Sequence, residues 1–528
     1  MRVVSVDEMR TIERRAEEEY DLTSPLLMEQ AGRSVAQALE TWLADQAGAA
    51  IGDVSVLVLA GPGANGGDGH VMAHYLVQRG AEVTIFDWKQ RRLETLQPGG
   101  PHGEPTPVGD DLAELQQALS SADVVADALL GTGHSRPLDP VMRAALDLAR
   151  QEHAHRPQLV ILAVDLPSGL NADTGAVDDG TLAADLTVTL AFPKVGLLLF
   201  PGAQYVGKLM VGSIGLPDAM QIDSGMEMLD ASFVRPLLPA RPLDSNKGTF
   251  GKVLVAAGSS LYIGAAYLAA CAAGRVGAGL VTLATTSERA LVYATKLTEA
   301  TYHLLPPDDA DPQQRAHALL DGLHGYKALV IGPGLGQSNG TVPFLEAVFA
   351  GVKALADNER PRLIVDADGL NALATLDHWW EKLPARTVLT PHPGEMARLR
   401  GGAKVSGGEA DRLAVAQETA HAWGHIVVLK GAATLIAEPE GRLRINWPGN
   451  PALATAGTGD VLSGAVGGLL AQGVEPFAAA TAAVYLHGRA GLRVSARIGD
   501  AGLLAGDLLP ELPLAIRETN ATNATNAR

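Results

Sequence analysis

A glycine turn followed by a carboxylate lies near the end of the chain, in the segment ATAGTGDVLSGA. The turn glycines, Gly457 and Gly459, open a predicted helix, and free backbone amides at a helix start bind phosphate. Asp460 comes directly after them, where its charge is unsuited to holding phosphate but suited to taking the proton of an attacking hydroxyl group. The segment therefore predicts phosphoryl transfer with Asp460 as the base. A structural role stays open, because the helix dipole favours an aspartate in the first turn.

A second glycine-rich turn, GPGANGGDGH, follows the apolar run VSVLVLA. Its glycines Gly61, Gly63 and Gly66 have the spacing of a dinucleotide-binding loop, which taken alone predicts a nicotinamide dehydrogenase. Asn65 and Asp68 inside the turn do not suit a pyrophosphate site, since a carboxylate would repel the anion. A tight strand-to-helix turn with Asp68 as a helix cap also stays open.

Oxygen-bearing side chains follow two further apolar runs, with Asp127 in DALLGTGHSRP and both Asp165 and Ser168 in VDLPSGLNADTG. Loops after parallel strands meet in one crevice, so Asn65, Asp127 and Ser168 are expected to lie together. Their oxygens and low total charge suit a hard cation better than zinc. Asp165, near that cation, is the predicted acid/base group of the first half. Capping of the Pro167 turn accounts for Asp165 equally well.

The elements that must hold these loops are visible as an alternation of short apolar runs and helix-like segments, from Asp53 onward. Such alternation predicts an α/β fold with parallel sheets and helices on both faces. The pattern fades between residues 215 and 248 and restarts at GKVLVAAGS. The sequence therefore predicts a Rossmann-like doubly wound domain at residues 1–225, a second α/β domain at 226–515 and a disordered polar tail at 516–528.

Composition narrows the class of protein. A net charge of −18 over 528 residues argues against nucleic acid as a partner. The single cysteine, Cys271, excludes an internal disulfide and a thiolate zinc site, which fits a reducing cytoplasm. Ser5 and Glu8 predict a capped helix instead of a secretory signal, and no membrane span is expected. The sequence does not fix the oligomeric state, and a homo-oligomer stays open.

The first half resembles the NAD(P)H-hydrate epimerase family, through SPLLMEQAG, GANGGDG, DALLGTG and DLPSGL in that order. The resemblance implies interconversion of the two C6 epimers of hydrated NADH or NADPH (NADHX and NADPHX), with K⁺ bound by Asn65, Asp127 and Ser168. The implied substrate contacts are Ala64, Asn65, Gly66, Gly67, Asp68, Gly131, Thr132, Gly133, His134, Ser135, Arg136, Pro137 and Asp165. The family usually has two asparagines where this chain has Ala64 and Asn65, which removes one side-chain hydrogen bond.

The second half resembles the ribokinase-like fold and, within it, the ADP-dependent NAD(P)H-hydrate dehydratases, over about residues 230–512. KGTFGKVLVAAGS, TPHPGE and GTGDVLSG carry the resemblance, and the lack of a Walker lysine argues against a P-loop NTPase. The resemblance implies that the hydroxyl group of the S epimer is phosphorylated and then lost as phosphate. ADP would be consumed to AMP and phosphate, with Mg²⁺ as the expected metal.

The same resemblance implies two sets of contacts in the second half. The hydrate is expected to contact Ala265, Gly334, His392 and Asp460. The nucleotide is expected to contact Lys430, Gly431, Ala432, Ala433, Thr434 and Gly459. His392 as a rigid-turn residue and Lys430 as a surface residue are the structural alternatives. The chain departs from the family at Asn246, where a histidine is usual, and at Ala456, where a glycine is usual.

The sequence thus favours a bifunctional repair enzyme whose first domain epimerises damaged NAD(P)H and whose second domain dehydrates it. A small-molecule kinase of the ribokinase-like group, fused to a Rossmann-like nucleotide-binding module, is the alternative, since it would share the glycine loop and Asp460. A third interpretation makes the first domain a non-catalytic binding module. The kinase predicts a stable phosphorylated product, and the binding module predicts that Asp165→Asn leaves all activity intact.

Overall fold

The chain forms two compact units, the first comprising residues 2–224 and the second most of the chain from residue 225 onward, together with Met1. The computed structural model describes residues 1–46, 48–99, 103–133, 137–217, 220, 225–403 and 409–521. Within these residues no helix is both long and apolar enough to span a membrane.

The first unit is built on one mainly parallel sheet. Its strands are β1 (Ser55–Ala60), β2 (Glu82–Asp87), β3 (Arg92–Leu96), β4 (Thr106–Pro107), β5 (Val124–Ala128), β6 (Val160–Val164), β7 (Leu186–Leu190) and β8 (Lys208–Gly212). Its helices are α1 (Val6–Tyr20), α2 (Ser24–Gln46), α3 (Ala64–Gln78), α4 (Ala113–Ser121) and α5 (Pro140–His155). The spatial order is β4-β3-β2-β1-β5-β6-β7-β8, so the chain turns back between β1 and β5. A ligand crevice is expected at the carboxyl ends of these two strands.

Strand β1 shows why this sheet is buried on both faces. Val56 and Val58 point into one apolar core, while Leu57 and Leu59 point into another. A strand alternates its side chains between faces, so a run without polar residues needs helices on both sides. The predicted α/β fold with a doubly wound sheet is confirmed for this unit. The antiparallel strands β3 and β4 at one edge were not predicted.

The second unit contains a larger sheet. Its strands are β9 (Met226–Met228), β10 (Lys252–Ala256), β11 (Leu280–Thr286), β12 (Thr301–Leu305), β13 (Ala328–Ile331), β14 (Arg362–Val365), β15 (Val388–Leu389), β16 (Ile426–Leu429), β17 (Thr434–Ala437) and β18 (Leu443–Asn446). The order is β12-β11-β10-β13-β14-β15-β16-β17-β18-β9, parallel from β12 to β16. The chain therefore turns back between β10 and β13.

The helices of the second unit cover both faces of this sheet. They are α6 (Ala231–Val234), α7 (Ile263–Arg275), α8 (Ser287–Ala294), α9 (Pro312–Asp321), α10 (Thr341–Ala354), α11 (Asp368–Leu373), α12 (Pro393–Leu399), α13 (Glu409–Trp423), α14 (Thr458–Ala471), α15 (Pro476–Ile498) and α16 (Ala505–Ala521). Alternate residues of β10 again lie in two cores, Val253 and Val255 in one and Leu254 and Ala256 in the other.

Helix α16 corrects the prediction of a disordered tail from residue 516. The helix continues to Ala521, because Leu508, Leu512, Ala515 and Thr519 form a buried stripe at helical spacing. The polar composition at 518–521 concealed this stripe, since only Thr519 of that segment is buried. Residues 522–528 lie outside the described residues.

Helices α7 and α14 approach closely through a glycine. A Cβ at Gly464 would lie 2.0 Å from the Ala269 carbonyl oxygen, which is too close for any side chain. Gly464 lies in the second turn of α14, so this approach holds the start of the helix against α7.

Gly464→Ala should therefore lower the free energy of unfolding of the second unit by about 1–3 kcal/mol, because the added methyl group pushes the helices apart. Gly506→Ala is the matched control, since no atom lies within 4 Å of a Cβ there. Urea unfolding of both variants measures the difference, and equal midpoints would contradict the close approach.

Candidate active sites

A cavity of about 640 Å³ opens where the strand order of the first unit reverses. It is lined by residues predicted to contact substrate: Ala64, Asn65, Asp68, Gly131, Thr132, Gly133 and Asp165. Gly66, Gly67 and Pro137 do not line it. Gly66 instead packs against the Gly61 carbonyl oxygen, which a Cβ would approach to 2.0 Å. The predicted residues His134, Ser135 and Arg136 lie outside the described residues.

The three predicted cation ligands converge beside this cavity. Asp127 accepts hydrogen bonds from the Ser168 hydroxyl group at 2.6 Å and from the Ser168 amide at 2.8 Å. The Asn65 amide nitrogen donates to the Leu130 carbonyl oxygen at 3.0 Å, while its buried Oδ1 has no hydrogen-bond partner in the described part of the chain. Burial raises the pKa of Asp127, so a nearby cation would favour its charged form. This set of hard oxygen donors, with one unpaired, fits a hard cation.

A buried lysine was missed by the sequence analysis. Lys194, 1% exposed, donates from Nζ to Asp165 Oδ1 at 2.5 Å and to the Leu190 carbonyl oxygen at 2.8 Å. Asp165 Oδ1 also accepts from the Leu190 amide at 3.0 Å and the Thr189 hydroxyl group at 3.2 Å. Asp165 therefore does not cap the Pro167 turn. The only sequence signal for Lys194 was a lone lysine after the apolar run LTVTLAF.

The backbone at Asp165 has a φ of +66°, a left-handed conformation that is uncommon outside glycine. Such a conformation persists where surrounding contacts hold it, and it is frequent at functional sites. Here the contacts to Lys194 and the end of β7 hold it.

Asp68 lies in the second turn of α3 and faces the same cavity. The cap of α3 is Gly63, so the hypothesis that Asp68 caps this helix is wrong. Burial raises the pKa of Asp68 to about 8, with a further upward effect from the Asp165 carboxylate and an opposing one from Lys194. No hydrogen bond joins the Asp68 carboxyl group to another described group.

In the second unit, α14 begins with the predicted glycine turn. Gly457 has a φ of +90° and precedes the first residue of the helix, Thr458. The imidazole of His487 contacts the Thr458 carbonyl oxygen at 2.9 Å, and burial lowers its pKa to about 4. A neutral histidine thus braces the turn. Asp460 lies in the first turn, where burial, and then the Asp366 carboxylate, raise its pKa to about 7.

A lysine–aspartate pair lies beside this turn. Lys430, directly after β16, donates to Asp366 at 2.9 Å, and Asp366 also accepts from the Ser463 hydroxyl group. Although burial opposes it, the two carboxylates Asp366 and Glu395 raise the pKa of Lys430. A Cβ on Gly459 would lie 3.4 Å from Lys430 Nζ, so the glycine turn and the lysine face each other. The Lys430 side chain is 20% exposed, and its Asp366 and Ser463 neighbours are groups that the sequence analysis missed.

The TPHPGE segment supplies His392, which caps α12. Its Nδ1 accepts a hydrogen bond from the Gly394 amide at 3.0 Å. The His392 amide in turn donates to the Glu395 carboxylate at 2.8 Å. Burial and the nearby Lys430 lower the pKa of His392, whose half-exposed ring places Nε2 3.5 Å from the buried Glu395 carboxylate. The Lys430 amide donates to the Pro391 carbonyl oxygen at 2.9 Å, which joins this loop to the lysine.

The remaining predicted contacts include Gly334 after β13, Ala265 in the first turn of α7 and the turn that follows β16. A Cβ at Gly334, after β13, would meet Ala265 at 2.7 Å, so these two are adjacent. Gly431, Ala432 and Ala433 form the β16–β17 turn before Thr434, supported by the buried Arg412. A Cβ at Gly431 would lie 2.2 Å from that guanidinium group, so a larger residue there would displace Arg412 from its contacts with the turn.

Two family models match the chain. The model described as YjeF-related protein N-terminus matches residues 24–196, and the model described as NAD(P)H-hydrate dehydratase matches residues 253–514.

Curated relatives match along nearly the whole length. The bifunctional NAD(P)H-hydrate repair enzyme of Moorella thermoacetica is 39% identical, and the match covers 98% of this chain and 97% of the relative. The enzyme of that name from Escherichia coli is 34% identical over 96% of this chain and 92% of its own. A solved Bacillus subtilis structure, an ADP/ATP-dependent NAD(P)H-hydrate dehydratase co-crystallised with ATP and Mg²⁺, is 34% identical with a TM-score of 0.47. That match covers 55% of this chain and 97% of the neighbour.

Lys194→Met should destabilise the first unit by about 3–5 kcal/mol at neutral pH, because it leaves the buried Asp165 carboxylate without its cation. Adding Asp165→Leu should recover part of that loss, since both charges are then gone. Arg15→Met, which breaks the exposed Arg15–Glu19 pair, is the control and should change little. Urea unfolding at pH about 7 measures the free energy of unfolding of each variant. Equal losses in Lys194→Met and Arg15→Met would contradict this prediction.

Proposed function

The chain belongs to the family of bifunctional NAD(P)H-hydrate repair enzymes, and we propose that its two units repair hydrated NADH and NADPH in sequence. The first unit interconverts the R and S forms at C6. The second unit removes water from the S form at the expense of ADP, giving AMP and phosphate. The observation that supports this most directly is the glycine turn of α14, which faces both a partly buried lysine and a carboxylate.

The second unit carries the phosphoryl-transfer step. Water is a poor leaving group, and phosphate is a better one, which explains why a dehydration consumes a nucleotide. The amides of Gly457 to Gly459 hold a phosphate at the start of α14. Asp460 takes the proton of the C6 hydroxyl group as its oxygen attacks phosphorus. Phosphate then leaves with the C6–O electron pair, and loss of a C5 proton restores the ring.

The nucleotide and the hydrate occupy neighbouring loops in this proposal. Lys430, Gly459 and the turn from Gly431 to Thr434 contact ADP, with Lys430 offsetting phosphate charge. Ala265, Gly334 and His392 contact the hydrate beside Asp460. Mg²⁺ would be held mainly by the nucleotide phosphates and would neutralise their charge during transfer.

The first unit binds the hydrate in the cavity at the carboxyl ends of β1 and β5. Asn65, Asp127 and Ser168 hold K⁺, which supplies a fixed positive charge next to the substrate loops. Asp165, which directly follows β6, contacts the nicotinamide end of the hydrate beside Lys194. The loop from Gly131 to Gly133 and the start of α3 enclose the rest of the ligand.

We place the protein in the cytoplasm, where NADHX, NADPHX and ADP are its small-molecule ligands. The net charge of −18 supports the absence of a nucleic-acid partner.

Incubation of the protein with a mixture of both hydrate epimers, with and without ADP and K⁺, tests the two activities together. We expect complete conversion to NADH with ADP present, followed by its near-UV absorbance and by release of AMP and phosphate. Arrest after the S epimer is consumed would mean that the first unit is not an epimerase. A stable phosphorylated product would favour a small-molecule kinase instead.

Asp460→Asn should reduce ADP-driven NADH recovery by at least about 100-fold and leave epimerisation unchanged, because only the base is lost. The wild-type kcat/KM should rise with pH through about 7, since the base must be deprotonated and its pKa lies there. Asp507→Asn is the control, because it also removes a first-turn aspartate, at the start of α16. Recovery by Asp460→Asn at near wild-type rate would overturn the assignment of the base.

A further inference from the structure

Among the described residues, seven ionisable side chains line one cavity in the first unit, and the sequence analysis gave an acid/base role to only one of them. Glu13 comes from α1, Asp68 from α3, Asp165 follows β6 and Lys194 follows β7. Two strand ends and two helices thus bring three carboxyl groups and one ammonium group together. Bringing such charges together costs desolvation free energy. Clusters of this kind are often found where the charges act on a ligand.

Asp165 is the carboxyl group of this set that already accepts hydrogen bonds, all of them at Oδ1. Its Oδ1 accepts hydrogen bonds from Lys194, the Leu190 amide and the Thr189 hydroxyl group. The buried ammonium group of Lys194, 2.5 Å from Oδ1, holds this carboxyl group in place. Its contacts therefore suit a positioning role.

Asp68 has the opposite surroundings. It is 8% exposed, lines the cavity and has no hydrogen-bond partner among the described residues. It lies one turn after Ala64 and Asn65, on the loop that the proposed substrate lies against. A carboxyl group that is shielded from water, open to a ligand and free of partners can exchange protons with that ligand.

We propose that Asp68 is the catalytic residue that exchanges protons with the C6 hydroxyl group and the ring nitrogen, and that the Lys194–Asp165 pair is a positioning element beside it. This inference rests on the proposed epimerase function. It reassigns the acid/base role that the sequence analysis gave to Asp165.

The reaction needs no reactant other than the hydrate and the carboxyl group of Asp68. The neutral carboxyl group of Asp68 gives its proton to the ring nitrogen, while its other oxygen takes the proton of the C6 hydroxyl group. The C6–N1 bond breaks with its electron pair going to nitrogen, and C6 becomes an aldehyde carbon. Rotation presents the other face of that carbon, and the reverse exchange closes the ring with inverted configuration. Asp68 ends the cycle protonated, as it began.

The electrostatics of the cavity agree with a neutral Asp68. Burial, together with the carboxylates of Asp165 and Glu13, keeps its pKa near 8, against the effect of Lys194. The charged groups that line the cavity with Asp68 are Arg10, Glu13, Arg14, Glu17, Asp165 and Lys194. The form that donates a proton therefore predominates at neutral pH and is lost as pH rises through about 8.

The test measures conversion of the isolated R epimer by the full-length protein, without ADP and at saturating K⁺, from about pH 6 to about pH 10. Wild-type kcat/KM should fall as pH rises through about 8. Asp68→Asn should lower kcat at least about 100-fold, with the hydrate still bound. Near wild-type turnover by Asp68→Asn would overturn the inference, whereas failure of the wild-type protein to epimerise would overturn the proposed function itself.

Two milder variants decide the matter if Asp68→Asn does not fold. Glu13→Gln removes a charge that raises the pKa of Asp68, so the fall in rate should move to lower pH. Asp165→Asn should move it in the same direction, which a purely structural role would not do. Glu17→Gln is the control, on the same helix and lining the same cavity. If kcat/KM of Glu13→Gln and Asp165→Asn falls at the same alkaline pH as that of the wild-type protein, the inference is overturned.

Discussion

A lysine ammonium buried against an aspartate carboxylate is the interaction on which both sites depend. In the first unit it joins Lys194 to Asp165, and in the second it joins Lys430 to Asp366. Each aspartate directly follows a parallel strand, and each lysine follows another strand of the same sheet. Removing either partner leaves an uncompensated charge in a poorly solvated place, so the strand ends must keep their positions for the pair to exist.

Each pair has a second aspartate beside it, on a helix that begins with a glycine turn. Asp68 and Asp460 both have pKa values raised first by burial and then by the carboxylate of the neighbouring pair. The lysine limits that rise in both cases. Two unrelated sheets thus produce the same electrostatic arrangement, a fixed ion pair next to a carboxyl group that titrates near neutrality. Such a group is suited to proton transfer at the pH of a cell.

Close backbone approaches make these arrangements possible. Gly66 lets the first turn of α3 reach the end of β1, and Gly464 lets α14 press against α7. Both glycines therefore serve packing. This explains why part of the motif GANGGDG, namely Gly66 and Gly67, does not line the cavity although it lies within the predicted substrate loop.

The sequence by itself determined the alternation of strands and helices, the carboxyl-end loops and the residues of the motifs, because these follow from local periodicity and local turn chemistry. It also predicted that Asn65, Asp127 and Ser168 meet, since parallel strands present their ends at one edge. Tertiary structure alone decided the partners of the charges. Asp165 and Lys194 are 29 residues apart, and Asp366 and Lys430 are 64 apart. No local pattern records such a pairing, and burial, which sets the protonation of Asp68 and Asp460, exists only once the sheets and helices have packed.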